Sequence, residues 1–279
     1  MMIRQLPIGP ATLVYDARSA DSSADPSVPF IFQHGMGGDT AQPLGYVGQR
    51  PPVPVISLSA RGHAPSDDLT DPAVATFATF ADDVVALADH LGHSQFAIGG
   101  ISLGAGTAVN LAIRYPHRVT ALVLCRPAWL DRPQAEYTQA AYREVADILD
   151  QGGDLDLAAD RYRHSPTYRQ LSAVSPAAAA SLLGQFTRPR AAHNSLLLRA
   201  FPSSSPTSSA ELWTQINVPT LVIGHRDDPF HPYEIAEAYA QTIPNAQFST
   251  VPSKDADQDA FAHEIRSTLH TFLLETAGR

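Results

Sequence analysis

Gly100-Ile101-Ser102-Leu103-Gly104 follows the short apolar run that starts at Phe96 and precedes a small, apolar stretch lasting to Tyr115. This G-x-S-x-G pattern constrains the chain more than any other feature. A serine in a tight strand-to-helix turn takes a strained backbone, and its neighbours must lack side chains so that strand and helix can approach. Such a turn exposes the Ser102 hydroxyl and directs the backbone N–H of Leu103, at the positive end of the following helix, toward an oxygen on the carbon under attack. The pentapeptide alone is a weak signal, so its surroundings must agree with it.

They do. Strand-like runs at Ala11 to Tyr15, Pro29 to Gln33, Val53 to Leu58, Phe96 to Gly100, Ala121 to Cys125, Thr220 to Gly224 and Ala246 to Val251 alternate with helical stretches. The clearest helices are Thr79 to Leu91, Leu103 to Tyr115 and Ala260 to Leu274. This rhythm predicts an α/β fold, a mostly parallel sheet covered by helices on both faces. Between Trp129 and Asn217 the strands stop and helical segments replace them, broken by Gly152-Gly153, Ser165-Pro166 and Arg188-Pro189-Arg190. We therefore expect a core domain of residues 1–129 and 218–279 with an inserted helical cap of residues 130–217.

The 279-residue length permits one large domain with an insertion. A net charge of -9 disfavours a nucleic-acid or anionic-membrane partner and suits a small-molecule substrate. Met1 to Gly9 lacks the form of a signal peptide, no run is long enough to span a bilayer, and Cys125 is the single cysteine. These features lead us to expect a cytoplasmic chain with a buried, inert thiol; its oligomeric state is left open. No phosphate loop, dinucleotide fingerprint or metal-ligating His/Cys spacing occurs, so the expected chemistry needs no cofactor and no metal.

His34-Gly35-Met36-Gly37-Gly38 comes directly after the strand ending at Gln33. At the carboxyl edge of a parallel sheet, the Met36 amide can pair with that of Leu103 to hold an oxyanion. With this turn in place, the chain resembles the α/β-hydrolase fold, in its capped form with a His-Gly oxyanion turn, as in esterases and lactonases. Ile56-Ser-Leu-Ser-Ala-Arg61-Gly62-His63-Ala64-Pro65-Ser66 is similar to a family segment, although Ser59 and Ala64 stand where Asp and Gly are usual. Tyr115-Pro116-His117-Arg118-Val119 resembles the helix end before the strand that leads to the cap. Thr220-Leu-Val-Ile-Gly224-His-Arg-Asp227-Asp228-Pro229-Phe-His231-Pro232 resembles the loop bearing the triad acid.

The resemblance implies a serine hydrolase that cleaves an ester, thioester or lactone of a small, partly apolar molecule through an acyl-enzyme. Its acid is Asp228, four residues before Pro232, with Asp227 as the alternative; both also suit a helix cap. On this reading His225 and His231 are supporting or surface residues, because acid and base are expected on different loops. The family's histidine follows the last strand, but here that loop reads Val251-Pro-Ser-Lys254-Asp255-Ala-Asp257-Gln-Asp259. Lys254 stands near the usual place, where it would pair with an acid or bind an anionic substrate, and His263 is the next histidine. We expect His263 to take the proton of Ser102, with His34, Asp227 and Lys254 as substrate-facing or supporting groups. If His263 points outward, the alternatives are a non-hydrolytic lyase or isomerase on the same fold, or a ligand-binding protein. Arg161, Arg163 and His164 are further candidates for gripping a substrate carboxylate.

Overall fold

The computed structural model describes residues 4–20 and 28–276. The outermost residues of the expected core domain, 1–3 and 277–279, lie outside this description, as does the stretch 21–27. Eight strands form one sheet: β1 (Arg4–Ile8), β2 (Ala11–Arg18), β3 (Phe30–Gln33), β4 (Val55–Ser59), β5 (Phe96–Ile101), β6 (Val119–Cys125), β7 (Thr220–Gly224) and β8 (Ala246–Thr250). Their order is β1-β2-β4-β3-β5-β6-β7-β8; the β1–β2 and β2–β4 pairs at one edge are antiparallel and all later pairs are parallel.

Side chains on successive strand residues point to opposite faces, and the sheet has a separate core on each. Ile98, Leu122, Leu124 and Val222 face a core built with α2 (Phe77–His90), α3 (Leu103–Arg114) and α9 (Tyr233–Thr242). Phe30, Phe32, Ala121, Val123, Leu221 and Ile223 face the other, built with α1 (Ala41–Val47) and α10 (Gln258–Thr276). Burial on both faces accounts for the nearly unbroken apolar runs of these strands. Cys125 belongs to the second core as a free thiol, and burial pushes its pKa up to about 12. β1 was not foreseen. Pro7 and exposed Arg4 and Gln5 break its apolar pattern, and a proline is tolerated there because the strand is an edge.

Between β6 and β7 the described chain is helical: α4 (Glu136–Asp150), α5 (Leu155–Arg163), α6 (Pro166–Val174), α7 (Pro176–Leu183) and α8 (Ser195–Ala200), with short 3-10 turns between and after them. Their starts are locally encoded. Asp154, Ser165 and Ser175 each accept hydrogen bonds from backbone N–H groups in the first turn, and Pro166 and Pro176 occupy first helical positions. Tyr142, Val145, Leu149, Tyr162, Leu182 and Phe186 form a third core, which Phe230 joins from the loop after β7. Among the described residues no helix is long and apolar enough to cross a membrane.

Candidate active site

Ser102 sits between β5 and α3 with φ 55° and ψ -108°, a left-handed backbone that a residue with a side chain adopts only under constraint. The constraint is packing at the crossing of strand and helix. A Cβ on Gly100 would lie 2.0 Å from the Gly104 carbonyl carbon, and one on Gly104 would lie 2.6 Å from the Gln33 carbonyl oxygen. The Ser102 N–H donates to the Cys125 carbonyl at 3.0 Å, which pins the turn to the end of β6.

Two residues from one loop complete a relay. His231 Nε2 stands 2.8 Å from Ser102 Oγ, and His231 Nδ1 stands 2.8 Å from Asp228 Oδ2. The turn that allows this is local: Phe230 N–H donates to Asp228 Oδ1 at 3.1 Å and His231 N–H to the Asp228 carbonyl at 3.3 Å. An aspartate side chain bonded two residues ahead folds the chain back, so the imidazole returns beside the carboxylate. Asp228 therefore lies in the site, whereas Asp227 is exposed with φ 63°.

Arg126 was not anticipated. It directly follows β6, its N–H donates to the Ile223 carbonyl at 2.8 Å, and its guanidinium reaches across to the β7 loop. One Nη2 lies 2.5 Å from Asp228 Oδ2 and 3.0 Å from His231 Nδ1. His225 Nε2 also approaches Asp228 Oδ2, at 3.2 Å. Burial alone would raise the Asp228 carboxyl, but His231 and Arg126 outweigh it and hold the group well below the usual carboxylate range. Burial lowers His231 to about 4 against the opposing pull of Asp228, and Arg126 adds to the lowering. The imidazole is therefore neutral at neutral pH, as a proton acceptor must be. Two tautomers compete: with the proton on Nδ1 the ring donates to Asp228 and accepts from Ser102, and with it on Nε2 it accepts from Arg126 and donates to Ser102. The buried carboxylate favours the first, because an ionised acceptor makes the stronger bond.

The expected base lies elsewhere. His263 is exposed on α10 and does not line the Ser102 cavity. Helical geometry decides this. Phe261, Ile265, Leu269 and Phe272 face the core at three- and four-residue spacing, which turns position 263 toward solvent. Phe261 instead supports the site from beneath: its ring centroid lies 5.7 Å from the Arg126 guanidinium carbon, 5.4 Å from the His225 ring and 4.9 Å from Lys254 Nζ. Lys254 does line the cavity, yet among the described residues it has no ion pair with Asp228. Burial lowers its ammonium to about 8, and Arg126 acts in the same direction.

The His34 turn lies at the end of β3. Gly38 N–H donates to the Gly35 carbonyl at 2.9 Å and Gly35 N–H to Gln42 Oε1 at 2.8 Å, so Met36 lies inside a closed turn beside Ser102. Among the described residues neither the Met36 nor the Leu103 amide meets an internal acceptor. His34 is buried behind the turn: Nε2 accepts from Ala60 N–H at 2.9 Å and Nδ1 lies 2.8 Å from the Gly35 carbonyl. Burial lowers it to about 4, so it is a neutral strut between β3 and β4 rather than a substrate contact. Arg161, Arg163 and His164 are likewise away from the cavity, paired on the surface with Gln151 and Asp160.

The cavity at Ser102 measures about 70 Å³. Its floor is the sheet edge, and Ser175, Ala177, Ala178 and Ser181 of the helical segment line it beside Tyr142. Asp255 joins the two parts, accepting from Ala177 N–H at 2.7 Å and from the Ser175 hydroxyl. Among the described residues no group of three or more His, Cys, Asp or Glu side chains is arranged to hold a metal ion.

The whole chain is similar to solved hydrolases. It superposes on a hydrolase from Pseudomonas aeruginosa with TM-score 0.72 and 21% identity, over 97% of this chain and 98% of that one. The enol-lactonase of Burkholderia xenovorans gives TM-score 0.74 at 19% identity, over 97% and 100%. A thermophilic esterase from Thermogutta terrifontis gives 0.71 at 22%, over 98% and 99%. In sequence, the chain is 30% identical over 180 residues to a 2-hydroxymuconate semialdehyde hydrolase of Pseudomonas putida, a match over 61% of this chain. The chain spans 59% of that relative's length. The profile of the family described as alpha/beta hydrolase fold matches residues 28–258. With the family profile matched over most of its length, the protein belongs to the alpha/beta hydrolase fold family.

Proposed function

We propose that the protein is a serine hydrolase in which Ser102 is the nucleophile, His231 the base and Asp228 the orienting acid, acting on an ester, thioester or lactone of a small, partly apolar molecule. The observation that carries this reading is the continuous line Ser102 Oγ, His231, Asp228, with 2.8 Å at both links. Ser102 attacks the carbonyl carbon while His231 Nε2 takes its proton, and Asp228 stabilises the imidazolium through Nδ1. The Met36 and Leu103 amides receive the oxyanion; one such donor typically contributes about 3 to 4 kcal/mol to the transition state. Collapse expels the alcohol or thiol, protonated by His231, and leaves an acyl-enzyme. A water deprotonated by the same imidazole then releases the acid and restores Ser102.

Residues 130–217 act as a cap in this reading, supported by the four small residues that they place over Ser102. The names of the enol-lactonase and esterase neighbours agree with acyl transfer to water. The alternatives, a lyase or isomerase or a ligand-binding protein, drew on the missing histidine after β8; the position of His231 beside Ser102 supports the hydrolytic reading over them. The test is intact mass after treatment with a fluorophosphonate. One adduct on the native protein and none on Ser102→Ala is expected; no adduct on either, with no turnover of 4-nitrophenyl butyrate, overturns the covalent mechanism.

A further inference from the structure

Lys254 is the only lysine among 19 basic residues, and it is turned inward. It stands in the loop after β8 and lines the cavity that holds Ser102. Its Nζ lies against the Phe261 ring, which attracts a cation but supplies no counter-charge. Both carboxylates that line the same cavity are engaged elsewhere. Asp228 takes Arg126 and His231, and Asp255 takes the Ser175 hydroxyl and the first turn of α7. Arg126 and Asp228 cancel each other's charge, and Asp255 is exposed to solvent with its oxygens turned to neutral donors, so among the described residues no carboxylate is bonded to the Lys254 ammonium.

A half-buried cation without a paired anion is costly, and the cost falls when a ligand brings the anion with it. Burial and Arg126 depress the ammonium to about 8, and the opposing pull of Asp228 and Asp255 offsets only part of this. We propose, building on the reading of Ser102 as nucleophile, that the substrate carries a carboxylate a few bonds from its scissile carbonyl and that Lys254 binds this group. A cavity of about 70 Å³ limits the candidates to compact molecules: half-esters, half-thioesters or lactones derived from short dicarboxylic acids. Lys254 is thus a specificity residue that discriminates by charge at one end of the substrate while the relay works at the other.

Binding and turnover test this separately. Calorimetry on Ser102→Ala compares monomethyl glutarate with uncharged dimethyl glutarate. The half-ester binds more tightly, and Lys254→Met in the same background weakens it by roughly 10- to 100-fold, the worth of a hydrogen bond to a charged group. Lys254→Arg retains most of the preference, which separates lost charge from misfolding. Equal binding of the two esters, or a preference that survives Lys254→Met in folded protein, overturns the inference. In turnover, the ratio of kcat/KM for the half-ester to that for the diester falls by the same factor in Lys254→Met. If neither ester is hydrolysed but the half-ester still binds through Lys254, the catalytic reading fails and the anion subsite stands. Hydrolysis of both with no charge preference has the opposite meaning.

Discussion

If His231 is the base, as proposed, Arg126 should tune its strength, and replacing Arg126 with methionine isolates that effect. In the native site Nη2 lies 3.0 Å from His231 Nδ1, so the guanidinium opposes protonation of the ring and competes with Asp228 for the same nitrogen. Two unit charges about 4 Å apart interact by roughly 4 kcal/mol at an effective dielectric of 20, equivalent to up to about three pKa units. Burial is the larger cause of the depression to about 4, and methionine preserves burial, so only part of the shift is recoverable. We expect a rise of roughly one to two units, or about 1.4 to 2.7 kcal/mol. The sign follows from mechanism: only neutral His231 accepts the serine proton, so activity falls as pH drops through its pKa. The acid limb of kcat/KM, which reports the free enzyme, therefore lies near pH 4 in the native protein. In Arg126→Met it moves upward. The assay is 4-nitrophenyl butyrate hydrolysis across pH, with product read after quenching to one alkaline pH. A limb that stays near 4 or moves lower in folded Arg126→Met refutes the coupling between guanidinium and imidazole.

The two histidines make a sharp pair: His231→Ala should lose on the order of 1,000-fold or more in kcat, while His263→Ala should retain native ester hydrolysis in the same assay. Acid should destabilise the fold. Burial holds His34 and His231 near 4 and His63 well below 6.5, so the unfolded chain binds more protons between those values. Stability is then complete above pH 6.5 and falls as pH drops toward 4, by roughly 3 kcal/mol for each of His34 and His231; urea melts at pH 7 and pH 5 measure it, and equal midpoints would exclude the effect. Gly100→Ala should prevent soluble folding or lower Tm by more than 10 °C, because its Cβ would overlap the Gly104 carbonyl at 2.0 Å. Circular dichroism melts check this. Arg61→Met should cost about 3 to 5 kcal/mol in chemical unfolding, since it strips the buried Asp83 carboxylate of two bonds of 2.7 Å.

Much of this architecture was legible because its causes are local. The demand for Gly100 and Gly104 around Ser102 is steric and acts over four residues, and the parallel sheet is written in apolar runs buried on both faces. Asp228 could be selected over Asp227, although the backbone conformation that separates them becomes visible only in the folded loop. His231 was passed over in favour of His263 because the expected separation of acid and base onto different loops hid a shorter route to Ser102. An Asp-Pro-Phe-His turn returns the fourth side chain to the first, and Asp228 followed by His231-Pro232 was the available signal. Arg126 joins Asp228 across 102 positions of sequence. No local pattern reports such a contact, although an arginine closing the apolar run Ala121 to Cys125 was a visible irregularity.

Phe230 stands between Asp228 and His231 in the chain, but its ring packs with Tyr142 in the helical layer, at a centroid distance of 5.4 Å. Next to it, the Pro229 carbonyl accepts the Tyr137 hydroxyl from the same layer. Two of the four residues in the acid-base turn are thus gripped by the part of the molecule that roofs the cavity. If that roof lifts as a body to admit a molecule, it pulls on the peptide that holds the imidazole against Ser102. Access to the cavity and the placing of the imidazole would then be mechanically linked through Pro229 and Phe230.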